Sequence, residues 1–109
     1  MTYAITNVVG LDEAAYKTLQ AQVGPEVPKG LIVHMAIKRP EGGLRYIDVW
    51  ESEEDCQRFE DERLHPVVHR MVRQRLGLGE GDPLPPEPEK VPLTVIHVLG
   101  SGGNFDLAG

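Results

Sequence analysis

His34, His65, His69 and His97 are the side chains of this chain whose ordinary pKa lies nearest neutrality. They are the first places to look for a moved proton or a held metal. His34 lies inside an apolar run, Leu31 to Lys38, and Asp48 lies inside the next, Leu44 to Trp50. If these runs pair in a register that sets the two groups opposite, the carboxylate can orient the imidazole as a general base. In other registers they point to opposite faces, or satisfy only each other as a partly buried polar pair. His65 and His69 are one helical turn apart, a spacing that holds a divalent metal when the helix is continuous and a carboxylate joins it. Pro66 interrupts that helix and the sequence places no third ligand, so no metal is expected there.

Tyr46, Asp48 and Trp50 alternate along their run, so all three share one face of a strand, with Arg45, Ile47 and Val49 on the other. If the first face meets helices, Tyr46 and Trp50 line a pocket and Asp48 is a buried acid. If it meets a second subunit, Asp48 is an interface group. Large aromatics mostly serve packing, and Trp50 has that reading too. Cys56 reads as a small buried hydrophobe, because no base is positioned beside it. Arg70, Arg73 and Arg75 form a short basic cluster that surface solvation or dimer contacts explain. Gly100 to Gly103 follows a strand but no helix follows it, so it is not a phosphate cradle.

The elements that must position these residues follow from local signals. Met1 to Val9 is a first strand. Asp12 caps a helix whose Ala15, Leu19 and Val23 recur at fourfold spacing, and Gly24-Pro25 ends it. Leu31 to Lys38 is a second strand without clean alternation, so both its faces are expected to be covered. Pro40 to Gly43 turns the chain, and Leu44 to Trp50 returns antiparallel. Ser52, followed by Glu53, Glu54 and Asp55, is a helix N-terminus. A break or kink is expected at His65-Pro66, with Val68, Met71, Val72 and Leu76 giving the next helical segment its own apolar stripe. Residues 77–92 form a Pro-rich linker, Leu93 to Leu99 is the last strand, and residues 100–109 are a mobile tail.

The chain has 109 residues, so one domain over residues 1–99 is expected. Its net charge of −6 argues against nucleic acid, which requires clustered Lys and Arg. A single cysteine excludes an internal disulfide and a multi-cysteine metal site. The apolar runs are too short to span a bilayer, and the start of the chain lacks the pattern of a signal peptide, so a cytoplasmic protein is expected.

The order β-α-β-β-α-β is that of a ferredoxin-like α+β sandwich, a four-stranded antiparallel sheet with helices on one face. Strands apolar on both sides cannot leave the other face in water, so a homodimer with opposed sheets is expected. Together with the Trp50-Glu51-Ser52 junction, this order resembles the dimeric α/β-barrel superfamily, specifically the antibiotic biosynthesis monooxygenase-like proteins, over Tyr3 to Leu99. The resemblance implies a small hydrophobic or aromatic ligand between the sheet and the helices. It also implies an activity among cofactor-independent oxygenases and small cyclases or isomerases of aromatic or polyketide-like molecules. A non-catalytic binding or structural dimer is the alternative. Haem-degrading members suggest a third reading, in which His69 matches the iron ligand, Phe59 an aromatic that is tryptophan in those proteins, and Asn7 an asparagine facing the haem. The candidate catalytic residues are therefore His34, Asp48 and His69. The candidate ligand-binding residues are Asn7, Tyr46, Trp50 and Phe59. No cofactor is expected unless the haem reading holds.

Overall fold

The computed structural model describes residues 2–100 and 103–106. β1 (Tyr3–Val9), α1 (Glu13–Val23), β2 (Leu31–Lys38) and β3 (Leu44–Trp50) lead into a long second helical stretch. That stretch runs as α2 (Glu53–Phe59), a π-helical turn (Glu60–Leu64) and α3 (His65–Leu76). β4 (Val91–Leu93) completes an antiparallel sheet of order β2-β3-β1-β4, and β5 (His97–Gly100) pairs with β6 (Gly103–Asp106) in a separate two-stranded sheet. The four-stranded antiparallel sheet with two helical stretches is an α+β architecture compatible with a ferredoxin-like fold.

Local chemistry sets the element ends. The Asp12 carboxylate accepts the Ala15 N–H at 2.7 Å, and the Ser52 hydroxyl accepts the Asp55 N–H at 3.1 Å, so both helical stretches begin on side-chain caps. Gly43, at φ +73°, closes the β2–β3 turn where a Cβ would sit 2.6 Å from the Val9 carbonyl oxygen, so only glycine fits.

Three sequence expectations change. The break at Pro66 is replaced by the π turn, whose widened backbone lets the His65 N–H reach the Glu60 carbonyl. Proline lacks an N–H and its ring presses on the preceding turn. Entering at the start of α3, Pro66 leaves the helical stretch continuous. The last strand of the sheet is Val91–Leu93, not Leu93 to Leu99: Pro92 has no donor and sits on an edge strand, where it is tolerated. His97–Gly100 instead pairs with Gly103–Asp106, so part of the expected mobile tail is a strand. Residues 101–102 and 107–109 of that tail lie outside the described residues.

Register decides the faces. His34, Asp48 and Ile5 form one row across β2, β3 and β1, and Trp50 and Tyr3 lie in a second row on the same face. Trp50, at 1 % exposure, packs with Ile5 and Cys56 and draws in Tyr3, Leu31 and Phe59, so this face meets the helices and carries the core. On the opposite face Met35, Ile47, Thr6 and Val91 form one row, and Val33, Val49, Ala4 and Leu93 another. Met35, Ile37, Val91 and Leu93 on that face are exposed.

Candidate functional site

The β2–β3 pairing places His34 directly opposite Asp48. The His34 Nδ1–H donates to Asp48 Oδ1, and the Tyr16 hydroxyl from α1 lies 2.7 Å from His34 Nε2. With Asp48 accepting at Nδ1, the imidazole takes the tautomer whose Nε2 lone pair faces Tyr16, so the phenol donates to it. The result is a chain from carboxylate to imidazole to phenol. Tyr16 belongs to the same helical face as Leu19 and Val23, one turn apart each, so the stripe that docks α1 on the sheet also delivers the phenol.

Aromatic packing fixes the group. The Tyr16 ring stacks on His34 with centroids 6.1 Å apart, and Tyr46 meets the imidazole edge-on at 5.2 Å. Burial, with the Asp48 charge adding to it, raises the Tyr16 phenol above its ordinary value. Burial, then Tyr16 and Asp48, push the Tyr46 phenol well above its own. Both phenols are therefore neutral O–H donors at neutral pH.

A bulge in β2 completes the wall. The pairing shifts between Leu31 and Val33, so Leu31 lies opposite Trp50 while His34 lies opposite Asp48. Residues three apart on a regular strand face opposite ways, and the extra residue brings Leu31 and His34 to the same side. They line a cavity of about 230 Å³ together with Tyr46, Asp48, Trp50 and Phe59. The volume lies below the roughly 300 Å³ at which drug-sized pockets begin, so the space suits a small ring system. Two of its donors, the Tyr46 hydroxyl and the Trp50 indole N–H, are buried without a hydrogen-bond partner among the described residues. An unpaired buried donor costs about 1–3 kcal/mol. Arg63 closes another side: its guanidinium lies 5.3 Å over the Phe59 ring and donates to the Val23 carbonyl at 3.2 Å. A larger groove of about 400 Å³ between α1 and α3 is lined by neither histidine nor carboxylate.

Of the residues singled out from sequence, His34, Asp48, Tyr46, Trp50 and Phe59 share this cavity. His69 does not line it. It lies on α3 with its ring stacked on His65 at 5.3 Å and its Nε2 3.9 Å from Glu87. Asn7 sits opposite Tyr46 on β1 and is also outside the lining. Of the three positions on which haem binding would rest, Phe59 lines this cavity and Asn7 and His69 do not. Tyr16 and Arg63 enter the site without having been singled out. Their signal in the sequence is their place on the sheet-facing sides of two amphipathic helical stretches, which also mark ordinary core positions. Comparisons with protein-family models, with curated proteins and with solved structures find no match for this chain.

Proposed function

We propose that the cavity abstracts a proton from a small, acidic aromatic or enolisable molecule, with His34 as general base and Asp48 as the group that orients it. The observation that carries this reading is the Asp48–His34 pair on the wall of an otherwise largely apolar cavity, with the Tyr16 hydroxyl marking the imidazole's free lone pair. The substrate displaces the Tyr16 hydroxyl from His34 Nε2 and gives its acidic proton to that nitrogen. The imidazolium formed is held by the Asp48 carboxylate. Tyr46 and Trp50 wall the cavity around the carbanion or phenolate. Return of the proton to a different carbon is an isomerisation; attack of the carbanion on a carbonyl carbon of the same molecule, whose oxygen then takes the proton, closes a ring. In the presence of dioxygen, a ring methylene and dioxygen become a carbonyl and water, with the substrate supplying all the electrons. Such chemistry is cofactor-independent.

Trp50 is the single tryptophan of the chain, so its fluorescence reports cavity binding directly. A panel of small phenols and enolisable ketones is expected to yield ligands that change this emission. For those ligands, wild-type protein should catalyse exchange of the acidic C–H with deuterated solvent, or consume dioxygen. His34→Ala should slow that by about 10²-fold or more, the scale of a lost general base. The second reading, a binding module without catalysis, is favoured by one observation: both His34 nitrogens already have partners inside the protein. Ligands that change Trp50 emission, with exchange and oxygen consumption no faster than in His34→Ala, would select it.

We also propose that a second copy covers the exposed sheet face, sheet against sheet about a two-fold axis. Met35 and Ile37 on one edge strand and Val91 and Leu93 on the other support this, because these large apolar side chains stand exposed on that face.

A further inference from the structure

Residues 77–92 lie over the second helical stretch and are pinned to it at Glu87 and Lys90. Lys90 Nζ donates to the buried Glu60 carboxylate in the π turn. Glu87 sits between the two histidines of α3: its Oε1 is 3.3 Å from His65 Nε2 and 3.9 Å from His69 Nε2. The ligand atoms of His65, His69 and Glu87 all lie within 4.8 Å of one another.

We infer that His65, His69 and Glu87 form a binding site for a divalent transition-metal ion of the zinc type, which fastens the Pro-rich segment to the helix. Two features of the geometry fit a metal ion. First, zinc bound by nitrogen and oxygen at about 2.0–2.1 Å in a tetrahedron sets its ligand atoms roughly 3.3–3.4 Å apart. The His65–Glu87 separation has that value already, and the His69–Glu87 separation needs to close by only about half an ångström. Second, the far side of His65 has its own carboxylate. Asp61 Oδ1 lies 3.8 Å from His65 Nδ1, so a small side-chain shift gives the carboxylate–histidine–metal arrangement that fixes the imidazole tautomer with Nε2 toward the ion.

The π turn and Pro66 are what make the constellation possible. The widened turn absorbs the proline, so His65 and His69 stand one turn apart on a continuous helix. The third ligand comes from a different element, which is why residue spacing along the helix does not show it. Glu60 Oε2 is 3.9 Å from His65 Nε2 but is engaged by Lys90, leaving three protein ligands and a solvent-facing fourth position. Glu87 is the exposed member and His69 is half-buried, so an ion can enter from the Glu87 side. The cluster contributes nothing to the lining of the His34 cavity, so the ion's role is structural: it holds the segment that delivers β4 to the edge of the sheet.

The test is titration of chelator-treated full-length protein with zinc chloride, followed by calorimetry and thermal unfolding, with cobalt(II) absorption as the spectroscopic reporter. One ion per chain, a raised Tm and visible cobalt bands are expected. Glu87→Gln and His69→Ala should each weaken zinc binding by about tenfold or more and abolish the cobalt bands, whereas Asp61→Asn should weaken it by less. Glu87 is largely exposed, so its variant folds even if a change at the more buried His65 does not. Absence of zinc binding up to millimolar concentration overturns the inference. So does a Glu87→Gln variant that binds zinc as tightly as wild type. Neither result bears on His34, because none of the readouts involves the cavity.

Discussion

The Cys56 thiol sits at 2 % exposure against Trp50 and Ile5, with the Glu60 carboxylate 3.6 Å from its sulfur. Burial, then the Glu60 charge, pushes the thiol up to about 12. A reactive cysteine needs the opposite, an exposed thiol drawn toward thiolate. Cys56 is therefore expected to react with a disulfide reagent at pH 8 only as fast as the chain opens, and at once in urea. Rapid labelling of the folded protein would contradict this. The sign for stability follows from the same shift. The folded thiol ionises later than the unfolded one, so its contribution is complete below the unfolded value near 9 and is lost as pH rises toward 12. At His34 the expected effect is on rate. Asp48→Asn should keep ligand-induced changes in Trp50 emission while lowering turnover, because the amide no longer holds the imidazole as a base.

Among the elements, the second helical stretch depends most on one residue. Ser52 caps it, and Asp55 both donates its backbone N–H to that hydroxyl and holds Arg58 at 2.9 Å. The Arg58 and Ser52 hydrogen bonds keep the Asp55 carboxyl below its ordinary range. Ser52→Ala is expected to cost about 1 kcal/mol in urea unfolding, the usual value of a helix cap, and Ser52→Asp to restore most of it. The caps at Asp12 and Ser52, the Gly43 turn and the strands on either side were all legible in sequence, because each is a contract between neighbouring residues. The π turn was not. Pro66 announces that an ordinary helix cannot pass, but whether the chain breaks or widens depends on whether the flanking helices are both docked. The short β4 and the separate β5–β6 hairpin were equally hidden, since the apolar run from Leu93 to Leu99 suits either partner.

At the scale of the whole molecule, the sheet has one face carrying the core and one carrying exposed Met35, Ile37, Val91 and Leu93. The proposed dimer predicts that wild-type protein sediments at twice the chain mass at micromolar concentration. Met35→Asp, at an already exposed position, should give a folded monomer with an unchanged circular dichroism spectrum. A wild-type monomer would remove the proposal. No helix among the described residues is long and apolar enough to cross a membrane.

Sequence alone determined the order of the main elements, their caps and turns, and the shared face of Tyr46, Asp48 and Trp50. These follow from periodicity and from contacts within a few residues. Only the tertiary structure decided that this face meets the helices, that His34 stands opposite Asp48, and that Tyr16 reaches the imidazole. It also brought Glu87 to His65 and His69, while leaving His69 and Asn7 outside the cavity. Each of these is a meeting of residues far apart in the chain. It rests on hairpin register, on a bulge at Leu31–Val33 and on the path of an extended segment, none of which has a local signature in the sequence.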